Sequence, residues 1–244
     1  MSDFTSAEVV VLRSNWDFHD DLDAFTEWLS SVERSSATLH NPAPLVRDYL
    51  DKRYLSMLSE AGVPVPISFV APDLTASGVA TWIDEHNLSE VVLKPAWGAS
   101  GHDVELVPRS ELDAAATAWS ERTDRRPMVV QQFVPGVRDG EHALVYLGGH
   151  FSHALIRRPA SGDFRVNSQH GGTMAPNEHV DRAMIEFGDQ ILSRFLQDAI
   201  YARIDVVRSG DEFVLMEVEV NEPALGLDVA PGSAARFASA IDGA

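Results

Sequence analysis

The chain has 244 residues, 45% hydrophobic and 23% charged, enough to bury a full core as one large domain or two small ones. Its formal net charge of -18 argues against a nucleic-acid partner, because duplex binding depends on neutralising phosphates with Lys and Arg, and an anionic ligand would need a local cationic pocket or a bound metal. There is no cysteine for disulfide or thiol chemistry, no run approaches the roughly 20 apolar residues of a membrane span, and the start, with Asp3 and Glu8, is not a secretory signal, so a soluble cytoplasmic protein is expected.

Residues 8–13 (EVVVLR) form a β-branched apolar run that reads as a buried strand. Asn15, Trp16 and Asp17 follow at its C-terminal end, where open α/β sheets place ligands, and are candidate substrate contacts. From Asp20 a helix is signalled by acidic residues in its first turn and by Leu22, Phe25, Leu29 and Val32 on one face. A short strand is expected at 37–39, and Asn41-Pro42 reads as an N-cap followed by the first helical residue. Leu45, Val46, Tyr49, Leu50, Leu55 and Leu58 keep one helical period until Gly62, which places Lys52 mid-helix. A strand at 67–71 and a helix at 75–85 lead to a strand ending at Lys94. Next come a helix at 110–121 and strands at 128–134, 141–147 and 151–157.

Residues 164–173 (FRVNSQHGGT) break the strand pattern with Gly171-Gly172 and read as a mobile flap. A long packing helix follows at 177–196, then a hairpin of 201–207 and 212–220 turning at 209–211, and a last helix from Pro231. Helix and strand alternate early and strands succeed one another later, which predicts an α/β amino-terminal part and an α+β remainder. The expected division is 1–71, a substrate-side subdomain; 72–134, a nucleotide-binding subdomain; and 135–244, a metal and catalytic subdomain.

Two constellations carry chemistry. In VVLKPAWGASGHDVELV, spanning 91–107, Lys94 ends an apolar strand and Gly98, Ala99, Ser100 and Gly101 form a small-residue loop, so an ammonium and unencumbered backbone N–H groups converge where a polyphosphate could sit. The spacing is not that of a P-loop, and an ordinary hairpin is the alternative. In the last hairpin, Glu217, Glu219 and Asn221 share one face while Val218 and Val220 point into a core. A turn centred on Gly210 places Asp205 opposite Leu215 and diagonal to Glu217 on that face. Two carboxylates about 4 Å apart repel by about 4 kcal/mol at an effective dielectric of 20, which a divalent cation relieves. Hard oxygen ligands suit magnesium, and a solvated acidic sheet face is the alternative.

With these residues in hand, the chain resembles an ATP-grasp ligase of the glutathione synthetase kind. The resemblance is carried in order by LDKRYL, VVLKPAWGASG, VVQQFVPGVRDGEHALVYLGG, IRRP, FRVN, YARIDVV and MEVEVNEP. RSNWDFHDDL, QHGGT and the EP after the last strand are most similar to the group containing D-cycloserine ligase. The resemblance implies an ATP-grasp fold in which Lys52 and Lys94 bind ATP phosphates and 98–101 close over them. It puts Gln131, Phe133 and Val134 beside adenine and Glu141 at the ribose position. Arg157, Arg165 and Asn167 would steady the γ-phosphate and an acyl phosphate, with Asp205, Glu217 and Glu219 holding magnesium.

The implied activity is ADP-forming ligation of a small carboxylate to an amine, between molecules or within one. Arg203 and Glu222 join Asn15 to Asp17 as candidate substrate contacts; for Arg203, pairing with Glu217 or Glu219 is the competing reading. The rivals are a small-molecule kinase and a nucleotide-binding protein that has lost catalysis. Two departures stand out: relatives often carry Arg where this chain has Ala143, and they begin one strand-helix-strand unit earlier, so a shortened amino-terminal subdomain is expected. A homodimer is left open by the sequence.

Overall fold

A computed structural model describes residues 4, 6–71, 76–122 and 126–243. Asp3 and Thr75, invoked above for the chain start and for a helix start, lie outside that set. The amino-terminal unit is a parallel strand pair, β1 (Val9–Val11) and β2 (Thr38–His40), joined through a 3-10 turn and α1 (Leu22–Glu33). Asp21 begins α1 by accepting the Ala24 N–H at 2.9 Å. Phe25, Leu29 and Val32 then bury the apolar face against Val10, Leu12 and Leu39.

The single helix expected to run to Gly62 is two, α2 (Ala43–Tyr49) and α3 (Tyr54–Glu60). The apolar period runs unbroken through the join, but the Asp51 carboxylate accepts the Arg53 N–H at 2.9 Å, a local alternative to helical bonding, and the Lys52 N–H donates to Ala96 O at 2.7 Å. Lys52 is therefore on the break, not mid-helix. The cap also shifts by one, to Pro42, because the Asn41 side chain is used elsewhere. Its Nδ2 donates to Tyr201 O and Val220 O, both at 2.8 Å, and its Oδ1 accepts the Ile200 N–H at 2.7 Å. Asn41 is fully buried, so these bonds tie the amino-terminal unit to the last hairpin, at about 1–3 kcal/mol for each group otherwise left unpaired.

β3 (Ser68–Ala71), α4 (Ala76–Glu85), β4 (Glu90–Pro95), β5 (Glu105–Pro108), α5 (Leu112–Ser120) and β6 (Met128–Gln132) follow. The four strands make an antiparallel sheet in the order β3-β6-β4-β5, whose core joins Val91, Leu93 and Val130 to Val79 and Ile83 of α4 and Leu112 and Trp119 of α5. The remaining elements are β7 (Glu141–Leu147), β8 (His150–Arg158), β9 (Thr173–Pro176), α6 (Arg182–Phe195), β10 (Tyr201–Ser209), β11 (Glu212–Glu219) and α7 (Ser233–Asp242). These strands form an antiparallel sheet ordered β11-β10-β7-β8-β9. Strand alternation splits β7 between two cores: Leu144 and Tyr146 meet Met184 and Ile191 of α6, while Ala143 and Val145 face Phe237 of α7.

β9 escaped the sequence pattern because Gly171-Gly172 precede it, and Thr173, assigned to the flap, belongs to the strand. The following helix begins at Arg182, not at 177. Asn177 still donates to Ala154 O at 2.9 Å beside β8, and the Asp181 carboxylate caps the helix through the Ala183 N–H. Among the described residues no helix is long and apolar enough to cross a membrane.

Candidate active site

The hairpin register differs from the expected one. Asp205 pairs with Glu217 and Arg203 with Glu219, while beyond them Val206 pairs with Leu215, so a bulge inserts Met216 into β11. Asp205 is therefore directly opposite Glu217 instead of Leu215. One ligand atom each from Asp205, Glu217 and Glu219 lies within 4.8 Å of the others. Arg203 reaches across this patch, donating through Nε and Nη2 to the two Asp205 oxygens at 2.8 Å each, and to Glu219. Arg203 is almost fully buried and engaged, so of its two readings the structure supports carboxylate pairing over substrate contact. Arg157 Nη1 donates to Asp205 Oδ2 at 2.9 Å and to Glu141 Oε1 at 2.8 Å.

This charge is concentrated away from water, and proton affinities respond. Burial and the facing Asp205 push Glu141 up to about 8 against the pull of Arg157. Burial lifts Glu219 to about 7 even beside Arg203. Glu217 is half-buried, and against the desolvation Lys52 and Lys94 hold it down at about 2. The donor set consists of hard oxygens with residual negative charge, which fits a divalent cation such as magnesium.

Lys52 and Lys94 are the chain's two lysines, and both line the same cavity. Lys52 Nζ meets Glu217 Oε1 at 3.1 Å and donates to Gly98 O at 3.0 Å; burial would lower its proton affinity, but Glu217 keeps it raised. Lys94 projects from β4 and donates to Gln131 Oε1 at 2.9 Å, a neutral partner, and burial lowers it to about 8. The Gln131 side chain is thus occupied by Lys94 and, through Nε2, by Ser68 at 3.1 Å.

The glycine loop turns through left-handed backbone at Ser100, Gly101 and Asp103. Asp103 is held there by Arg122 and Arg126. A Cβ on Gly101 would lie 2.7 Å from Asn167 Oδ1, so the absent side chain lets the loop touch the flap. Within the flap, the Arg165 guanidinium pairs with Asp163 at 2.8 Å, and Asn167 O accepts the N–H groups of His170 and Gly172.

The resulting cavity, about 320 Å³, is lined by Trp16, Lys52, Lys94, residues 98–101, Gln131, Phe133, Val134, Glu141, Arg157, Arg165, Asn167, Arg203, Glu217, Glu219 and Glu222. Asp205 lies just behind this surface, 1% exposed. Asn15 and Asp17 do not line it. The Asn15 amide donates to Asn221 Oδ1 at 2.8 Å, while Asp17 opens onto a second cavity with Asp20, Asp21 and Asp23. Sequence reasoning missed His102, Gln169, Met174 and Met216 in the lining. Met216 enters only through the bulge, and Met174 only through the unread strand β9.

Residues 66–230 match the family described as prokaryotic glutathione synthetase, ATP-grasp domain, and residues 1–41 match the D-cycloserine synthetase DcsG N-terminal domain. Cycloserine biosynthesis protein DcsG of Streptomyces lavendulae is 30% identical over 267 residues, covering 98% of this chain and 84% of that one. Glutathione synthetase of Rhodopseudomonas palustris is 28% identical over 91% of this chain and 67% of its own length. The crystal structure of D-cycloserine synthetase DcsG superposes with a TM-score of 0.87 at 26% identity, covering 98% of this chain and 84% of that one. A RimK-domain ATP-grasp protein from Sphaerobacter thermophilus shares the fold, with a TM-score of 0.68 at 21% identity over 88% of this chain and 75% of that one. The chain belongs to the ATP-grasp ligase family, through the ATP-grasp domain of prokaryotic glutathione synthetase.

Proposed function

We propose that the chain is an ATP-dependent, ADP-forming carboxylate–amine ligase acting on small amino-acid-like molecules, with magnesium as its metal. The observation that carries this is the meeting, in one cavity, of the Glu217 and Glu219 carboxylates, backed by Asp205 within 4.8 Å, with both lysines of the chain and the glycine loop. Phosphoryl transfer asks a protein for positioning and charge neutralisation more than for covalent help, and the cavity is built from groups that supply both. Lys52, Lys94 and the N–H groups of 98–101 bind the phosphates, and Gln131, Phe133 and Val134 border the adenine with Glu141 toward the ribose. Arg157, Arg165 and Asn167 face the transferring phosphoryl group; Arg165 does so after exchanging Asp163 for the anion. Magnesium, held by Asp205, Glu217 and Glu219, would neutralise charge on the phosphates. An ATP-grasp ligase of the same fold, PsnB, has been crystallised with Mg and ADP, which supports this pairing.

The carboxylate becomes an acyl phosphate, and an amine displaces inorganic phosphate to leave an amide. The test is ADP release with ATP and magnesium, screened over amino acids and their derivatives, singly and in pairs. ADP should rise only where a carboxylate and an amine are both supplied, in one molecule or two, and an amide should accumulate with it. Amine-independent ADP with a stable phosphorylated product would mean a kinase, and no response to any compound would contradict the ligase reading.

A further inference from the structure

Four carboxylates line the cavity that holds the lysines, and three of them are committed: Glu141 to Arg157 at 2.8 Å, Glu217 to Lys52 at 3.1 Å, and Glu219 to Arg203. Glu222 is the fourth, and among the described residues its carboxylate has neither a hydrogen bond nor an ion pair. Its backbone, in contrast, is fixed. Trp16 Nε1 donates to Glu222 O at 2.9 Å, and the preceding Asn221 is held by Asn15. A carboxylate on an anchored backbone, lining the same cavity as the two lysines and paired with no neighbour, is placed for a substrate.

Trp16 also lines the second cavity, of about 950 Å³, together with Asp17, Asp20, Asp21 and Asp23, and the two cavities share Ser100, His102 and Gln169. Its arginine, Arg126, is bridged to Asp103. A cation approaching from this side meets a negative field that leads to Glu222, whereas the lysine side suits the nucleotide.

Resting on the ligase reading above, we propose that Glu222 is the proton acceptor for the attacking amine, which arrives as an ammonium ion through the acidic cavity. The ammonium gives one proton to the Glu222 carboxylate. The freed nitrogen lone pair forms the C–N bond to the acyl carbon, the C–O bond to phosphorus breaks, and its electrons leave on inorganic phosphate. The second nitrogen proton goes to that phosphate, and Glu222 returns its own to solvent. The groups facing Glu222 are Glu219, Lys52, Glu217 and Arg203; of the four cavity carboxylates it is the one left without an ion pair or hydrogen bond among the described residues, and so open to an ammonium.

The test compares Glu222→Gln and Glu222→Asp with wild type across the amino-acid panel, with ATP and magnesium. Amide formation is followed alone, and acyl hydroxamate formation is followed after adding hydroxylamine, a nucleophile largely unprotonated at neutral pH that needs no acceptor. In Glu222→Gln, amide formation should fall by about 10²–10⁴-fold, while hydroxamate formation keeps most of its rate. Glu222→Asp, which retains a carboxylate, should recover part of the ligation. Equal losses in both assays, no loss in either, or an Asp variant ligating no better than Gln overturns the proposal. Absence of hydroxamate from the wild type with every acid overturns carboxylate activation itself, and this proposal with it.

Discussion

Glu217 links the carboxylate patch to the lysines: it opposes Asp205 across the hairpin, pairs with Lys52 and is attracted by Lys94. Replacing it by Gln keeps shape and removes charge, so the charged donor proposed for magnesium and the ion pair with Lys52 are both lost. Glu217→Gln, or Glu219→Gln, should lower the rate of ADP release by about 100-fold or more with the fold intact, since even residues that only support metal ligands cost about 10- to 100-fold. Full activity in either would remove the metal assignment. Lys94 is 9% exposed and bonded to a neutral amide, leaving its charge for a ligand. A hydrogen bond to a charged group contributes about 1.5–3 kcal/mol, so Lys94→Met should weaken ATP use by about 10- to 100-fold, read as kcat/KM for ATP. Because the chain holds two lysines, an amine-directed reagent offers an independent reading: side-chain labelling confined to Lys52 and Lys94, and blocked by ATP with magnesium.

Among the elements, the flap from 164 to 172 is the one the proposed ligase chemistry would require to move, because an acyl phosphate must be kept from water. Gly172 has no room for a side chain, since a Cβ there would sit 2.3 Å from Val166 O, and Gly171 is in left-handed backbone. Replacing both by Ala should slow ligation more than it weakens ATP binding, and raise the ADP formed per amide above one. An unchanged ratio with unchanged turnover would make the segment an ordinary surface loop. Alternation along β11 placed Glu217 and Glu219 on one face and Val218 and Val220 in a core, because strand period is a local property. The bulge at Met216 and the strand β9 depend on partner strands, at Asp205 and β8, and the break at Lys52 on Ala96 as well as on its neighbour Asp51, so the apolar period alone does not carry them. Arg203 and Asp205, two residues apart on one face, were legible as neighbours; that Arg203 is consumed by the carboxylates became visible only with the register.

For the whole molecule, the buried acidic cluster ties stability to pH. Glu141, Glu219 and Glu222 are raised to about 8, 7 and 8 from an ordinary value of 4.5, so between roughly 4.5 and 8 the folded state binds more protons than the unfolded one. Their stabilising contribution is complete below that window and is lost as pH rises through it. Glu217, lowered to about 2, acts in the opposite sense: its contribution is present above 4.5 and is lost as pH falls toward 2. Lys94, lowered to about 8, makes stability rise again between about 8 and 10.5. With magnesium chelated, the melting temperature should therefore fall from about pH 5 to pH 8, and Glu222→Gln should flatten that decline. A melting temperature that climbs across the same interval would contradict the charge balance described here. Activation of a substrate carboxylate by ATP can be tested by following oxygen. An acid that raises ADP release, supplied with its carboxylate labelled by 18O, should deliver one labelled oxygen to the inorganic phosphate as the amide forms, read by mass spectrometry. Unlabelled phosphate, with all the label kept in the organic product, would contradict the acyl phosphate and with it the ligase mechanism.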